Sequence, residues 1–246
     1  VLTSDGRGLT IGVLYWQLND IWQAPTWASI EFNGKWKMVH YFAKDFFSPV
    51  LVSPFVSRDG VLEVDIISDK LENLESELTV QVYQWSSLTP IHSVKSSQTV
   101  NNASVTNAFQ QNLQEFLTTA GCGDSEPSKK CFLYFTLTSP DGVDISPHNF
   151  LFPQSLKDLT DFAAAKISIT NVSPASGSEN VFEIQLETDR VAAFVWLEAN
   201  NIAGYFSTNG FLIVSPTVSI EFNALESITA QQLQEALIIV SLADFY

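Results

Sequence analysis

Residues Ile11 to Leu18, IGVLYWQL, are apolar on both alternating faces of an extended chain: Gly12, Leu14, Trp16 and Leu18 on one, Ile11, Val13 and Tyr15 on the other. A strand of this kind must be covered above and below, as in a parallel sheet inside an α/β protein. A loop with Pro25 and the pair Asn33-Gly34 follows. From Lys35 to Phe47, Trp36, Val39, Phe42, Ala43 and Phe46 recur at helical spacing, with Lys37, His40 and Lys44 between them. That spacing predicts an amphipathic helix. One strand, one loop and one helix cannot shelter both faces of that strand. The reading is therefore that residues 1–47 need a partner this chain does not supply.

The patterning then changes to β. In residues 48–154, VLEVDIIS (Val61 to Ser68), LTVQVYQWSS (Leu78 to Ser87) and CFLYFTLTS (Cys131 to Ser139) alternate, and the turn Pro140-Asp141-Gly142 closes the last. NLQEFLTTA (Asn112 to Ala120) predicts one short helix. Residues 155–246 repeat the theme with AKISITNVS, VFEIQLETD, AAFVWLEA, GFLIVSP, VSIEFNAL and ALIIVSLADFY. Strands at such spacing, broken by turn residues, predict two immunoglobulin-like sandwiches. The 246 residues, 46% hydrophobic, supply enough core for this division.

Charge and motifs exclude more than they assign. A formal charge of -15, with Lys plus Arg totalling 12, argues against nucleic acid or anionic membrane as a partner, since phosphate binding needs a basic face. No uninterrupted apolar window of about 18 residues predicts a membrane span. The opening VLTSDGRGLT has no signal-peptide pattern, which says little if the chain starts inside a longer precursor. Cys122 and Cys131 flank the polar loop GDSEPSKK, and a disulfide is favoured over free thiols. Zinc is disfavoured because no histidine lies near to complete a shell. The sequons at Asn102 and Asn171, taken with the cysteine pair, favour a secretory route. Gly-rich phosphate loops, HExxH and GxSxG are all missing from the sequence. His40, His92 and His148 read as surface or satisfied structural residues. The acidic run Asp69 to Glu77 lacks the spacing of a calcium loop and reads as a solvated turn.

One constellation is more specific. Gly12, Leu14-Tyr15-Trp16-Gln17-Leu18-Asn19-Asp20, Trp22-Gln23-Ala24-Pro25-Thr26-Trp27-Ala28-Ser29-Ile30-Glu31 and Gly34-Lys35-Trp36-Lys37-Met38, then His40-Tyr41-Phe42-Ala43, resemble the β-mannosidases of glycoside hydrolase family 2. Weaker similarity extends through Val82, Trp85 to Leu88, Ser146-Pro147, Asn149, Phe194 to Leu197, Gly204, Asn209 to Leu212, Asp244 and Tyr246. The secreted fungal and lysosomal animal enzymes are the nearer subset. The resemblance implies a mixed fold: the last βα unit of a (β/α)8 TIM barrel in residues 1–47, then immunoglobulin-like β-sandwich domains at 48–154 and 155–246.

It also implies retaining hydrolysis of terminal β-mannosides by two glutamates, both upstream of Val1, so this chain would hold no catalytic residue of its own. The implied partner is the N-terminal portion of the same precursor, carrying the rest of the barrel. No cofactor or metal is implied. Trp16, near the C-terminal end of a barrel strand, would line the mannose subsite. Asn19 and Asp20 would hydrogen-bond sugar hydroxyls or fix the loop. Trp22 and Trp27 read as loop packing in preference to an outer subsite, and Trp36, Trp85 and Trp196 as core. Two alternatives stand beside this reading: another family 2 exo-glycosidase such as an exo-β-glucosaminidase, and a non-catalytic binding or structural fragment.

Overall fold

A computed structural model describes residues 12–178 and 180–245 of the chain. After an extended N-terminal run comes helix α1 (Met38–Phe46). Strands β1 (Val50–Val56), β2 (Val61–Ser68), β3 (Leu74–Gln84), β4 (His92–Val100) and β5 (Ser104–Asn112) follow, then the short helices α2 (Leu113–Leu117) and α3 (Pro127–Lys130), then β6 (Cys131–Thr138) and β7 (Asn149–Leu151). The remainder comprises β8 (Ile167–Pro174), β9 (Val181–Thr188), β10 (Ala192–Ala199), β11 (Gly204–Phe206), β12 (Phe211–Ile213), β13 (Thr217–Ala224), α4 (Ala230–Ala236) and β14 (Leu237–Val240).

The first sandwich faces a β1-β2-β5 sheet with a β4-β3-β6-β7 sheet, and all of its strand pairs are antiparallel. Alternation explains its core. Leu62, Val64 and Ile66 of β2 point inward to meet Leu78, Val80 and Val82 of β3 and Leu133, Phe135 and Leu137 of β6. The second sandwich pairs β11-β13-β9-β8 with β12-β10-β14. Its core gathers Phe182, Ile184, Leu186, Val195, Leu197, Ile220 and Phe222. A third cluster joins the sandwiches: Tyr83, Trp85 and Phe132 of the first meet Val191, Ala193 and Leu212 of the second. Trp85 lies 4.5 Å, centroid to centroid, from Phe132 and meets Phe162 edge-on at 5.0 Å. Cys122 and Cys131 form a disulfide, with Cα atoms 6.1 Å apart, closing the loop that contains α3 onto the start of β6.

Several expectations need correction. Residues 12–18 do not form the strand predicted over Ile11–Leu18 (Ile11 itself lies outside the described residues). Among the described residues they join no ladder: only the Gln17 and Leu18 carbonyls accept, from the Ser29 and Ile30 amides, beside a single parallel bridge between Asn19 and Ile30. A strand exists only where a neighbour takes its N–H and C=O groups. The helix is shorter than Lys35–Phe47, since Lys37 has extended backbone angles and caps it. The acidic run is not wholly a turn: Leu74 to Glu77 open β3, where Glu75 accepts from Thr99 Oγ1 (3.0 Å) and Glu77 pairs with Lys95 (2.6 Å) across the hairpin. Strands β1, β4, β5, β7 and β11 were not expected.

α1 belongs physically to the second sandwich. Tyr41 sits inside that core, and its hydroxyl accepts a hydrogen bond from the Phe206 amide at 3.2 Å. Trp36 stacks on Tyr205 at 4.6 Å with a 15° interplanar angle, and Lys44 Nζ donates to the Ser207 carbonyl at 2.8 Å. The chain therefore covers one face of its own helix. The other face and the extended run are left bare. Val39 and Phe46 are exposed, as are Val13, Leu14, Trp16, Leu18 and Ile21, with Leu14 at 99%.

Candidate functional site

The residues singled out in the sequence lie on the loop from Gly12 to Lys37. Two short stretches of this loop run side by side. The Ser29 amide donates to the Gln17 carbonyl at 3.0 Å, the Ile30 amide to Leu18 at 2.9 Å, and the Asp20 amide to Ile30 at 2.9 Å. A turn at Asn33-Gly34 then brings the chain back so that the Glu31 amide donates to the Lys35 carbonyl at 2.8 Å. Gly34 has φ +87°, the left-handed region where a residue without Cβ is unstrained.

Trp16 is 78% exposed and its peptide bond to Gln17 is cis. Asn19 is exposed too, and its side-chain amide donates to the Asp20 carbonyl at 3.1 Å. Asp20 differs from both, being buried with its carboxylate already occupied. One oxygen accepts from Thr26 Oγ1 and the other from Lys37 Nζ at 3.1 Å. The Thr26 hydroxyl, reinforced by Lys37, holds the Asp20 carboxyl below the usual carboxylate range against a smaller opposing effect of burial. Of the two roles the sequence left open for Asp20, this geometry is that of a loop clamp.

A cleft of about 350 Å³ opens beside the clamp, bordered by Asp20, Trp22, Pro25, Phe32, Asn33 and Lys37. Of the three sugar-site residues nominated from sequence, only Asp20 borders it. Trp16 and Asn19 face elsewhere, so the described residues do not bring the three into one pocket. Trp22 and Trp27 are 69% and 81% exposed, so neither is packed within this chain as expected.

A second cleft, of about 420 Å³, lies between the Glu31–Trp36 turn and β10. Glu198 at its rim accepts from Trp196 Nε1 at 3.0 Å and pairs with Lys35 at 3.0 Å; the Trp196 bond first, then Lys35, lowers its carboxyl pKa.

Sequence reasoning missed Ser29, which is fully buried. Its hydroxyl lies 2.8 Å from the Leu18 carbonyl, 3.0 Å from Tyr15 Oη and 2.9 Å from His40 Nδ1. The available signal was a lone hydroxyl in the otherwise apolar Ala28-Ser29-Ile30. Burial pushes the His40 imidazole below its ordinary pKa. His40 is thus a satisfied structural residue, as expected. So is His148, held by Tyr134 Oη and Asp144 at 2.9 Å each.

Two family models match the chain: one described as a mannosidase Ig/CBM-like domain over residues 60–158, the other as an Ig-fold domain of mannosidases over 162–245. They fall on the two sandwiches. The β-mannosidase of Mus musculus is 42% identical over 244 residues, which is 98% of this chain and 27% of that protein. The chain belongs to the β-mannosidase family. Among other members, the β-mannosidase of Capra hircus is 40% identical over 98% of the chain and 27% of its own length. β-Mannosidase A of Neosartorya fischeri is 33% identical over 83% of the chain and 22% of its own length. This family member spans about a quarter of the length of the curated relatives it matches.

Among solved structures, the β-D-mannosidase of Dictyoglomus thermophilum superposes with a TM-score of 0.71 at 22% identity, covering 92% of this chain and 26% of that one. The exo-chitosanase of Amycolatopsis orientalis gives 0.65 at 13% identity, over 97% of this chain and 30% of that one. Both likenesses concern the fold. Among the described residues, no helix is long and apolar enough to cross a membrane.

Proposed function

We propose that this chain is the C-terminal part of an exo-acting, retaining β-mannosidase that removes terminal β-linked mannose from the non-reducing ends of β-mannosides and manno-oligosaccharides. In the full-length protein residues 1–47 supply the last strand, loop and helix of its (β/α)8 barrel, the strand forming against strands of the preceding polypeptide, followed by sandwich domains at 48–154 and 155–246. The observation that carries this is the 42% identity to the mouse β-mannosidase over 98% of the chain, because such coverage takes in the opening segment as well as the two sandwiches. The bare apolar run from Val13 to Ile21 supports the same reading. An exposed strip of that size marks a surface that other polypeptide covers.

The two glutamates of a retaining mechanism come from the preceding polypeptide, the partner that also carries the other barrel strands. This chain contributes one wall. Trp16 offers an indole face to the apolar face of the pyranose, and Asn19 a side-chain amide to its hydroxyls. Asp20 acts by fixing the loop through Thr26 and Lys37. A secretory route, to the exterior or the lysosome, fits the Cys122–Cys131 disulfide and the exposure of both sequon asparagines, Asn102 and Asn171.

The test is turnover by the full-length protein of p-nitrophenyl β-mannoside and, separately, of the β-glucosaminide. Hydrolysis of the mannoside with the glucosaminide untouched is expected. The reverse preference would move the protein to a neighbouring exo-glycosidase activity, and inertness toward both would make it a non-catalytic member.

A further inference from the structure

We propose that Ser29 is the positioning residue of the Trp16 wall, fixing the two residues that follow the indole. This rests on the reading of Trp16 as part of the sugar site. Ser29 is fully buried, so it cannot touch a substrate itself. Its bonds run to both sides of the loop. The amide donates to Gln17 O at 3.0 Å and the hydroxyl to Leu18 O at 2.8 Å. Its carbonyl accepts the Lys37 amide at 2.9 Å, at the entry to α1.

A hydroxyl has one proton and two lone pairs. With the proton committed to the Leu18 carbonyl, which can only accept, Tyr15 Oη and His40 Nδ1 must both donate to Ser29. This fixes His40 as the Nδ1–H tautomer and saturates the serine. His40 and Lys37 connect the hub to α1, and Tyr41, one residue on, anchors α1 in the second sandwich. The position of the indole is thereby referred, through one buried hydroxyl, to the C-terminal domain.

The experiment replaces Ser29 by alanine in the full-length protein labelled with 5-fluorotryptophan, the Trp16 resonance being identified by its loss in Trp16→Phe. Ser29→Ala should shift or broaden the Trp16 ¹⁹F signal while leaving that of buried Trp85 in place. It should also lower kcat/KM for p-nitrophenyl β-mannoside by up to about tenfold, the ceiling set by loss of the Trp16 contact itself. A folded Ser29→Ala protein with the Trp16 signal unmoved would overturn the proposal. If that variant fails to fold, Tyr15→Phe removes one donor and spares the hub. It should move the same signal in the same direction by a smaller amount, and an unmoved signal there overturns the proposal as well. If the unmodified protein hydrolyses no mannoside, the functional reading fails, and the ¹⁹F comparison alone then decides the role of Ser29.

Discussion

Trp16 and Asp20 stand four residues apart on one loop and meet opposite fates, and the reason is local chemistry. Asp20 finds a hydroxyl and an ammonium within hydrogen-bond reach and is buried between them; Trp16 finds no such partner among the described residues and is 78% exposed. Replacing Trp16 by alanine should therefore leave thermal stability unchanged and reduce kcat/KM about tenfold, the scale of one lost aromatic contact. For Asp20 the sign of the pH effect follows from its depressed pKa. The clamp contributes fully above the pKa of an unfolded aspartate, about 4, and is lost as pH falls through the lower folded value. A carboxyl-detected NMR titration should place Asp20 below ordinary aspartates, and Thr26→Val should raise it. Asp20 titrating as a free side chain would remove the clamp. The clamp was half legible in the sequence: an acidic residue in a loop was visible, but the threonine six positions on and the lysine seventeen positions on were not, because only the folded loop brings them together.

At the scale of elements, α1 is held by contacts that single substitutions can test. Tyr41→Phe removes the acceptor for the buried Phe206 amide, so about 1–3 kcal/mol of stability should be lost in chemical denaturation. Gly210 sits at φ +73°, and a Cβ there would lie 2.9 Å from Met38 Cγ. Gly210→Ala should cost about 1–2 kcal/mol from the backbone conformation alone, and more through the displaced helix. The disulfide closes a short loop, and Cys122→Ser with Cys131→Ser should lower stability by roughly 2–3 kcal/mol. Strands β2 and β6 were legible because Leu62, Val64 and Ile66, or Leu133, Phe135 and Leu137, alternate cleanly with less buried positions. Strands β4 and β5, HSVKSSQTV and SVTNAFQQN, lie at sheet edges and carry polar residues at many half-buried positions, so no hydrophobic period marks them. Gly12 to Leu18 shows the converse: a strand-like pattern without a ladder partner among the described residues is not a strand.

For the whole molecule, the three clusters join α1, both sandwiches and the seam between them into a continuous body from which the Gly12–Phe32 loop projects. The change from helical to alternating patterning near Phe47 marks where the strands begin, at Val50, whereas this division falls before α1. The docking of α1 on the second sandwich was not readable, because it depends on Tyr41, Trp36 and Tyr205 meeting across more than 160 residues of chain. The account turns on the projecting apolar strip being covered by the rest of a barrel in the full-length protein. Hydroxyl-radical footprinting carries its own reference, since Leu14 and Leu71 are 99% and 87% exposed within this chain. In the intact protein Leu71, in the turn before β3, should oxidise freely while Leu14 is protected. Equal oxidation of the two would contradict the account.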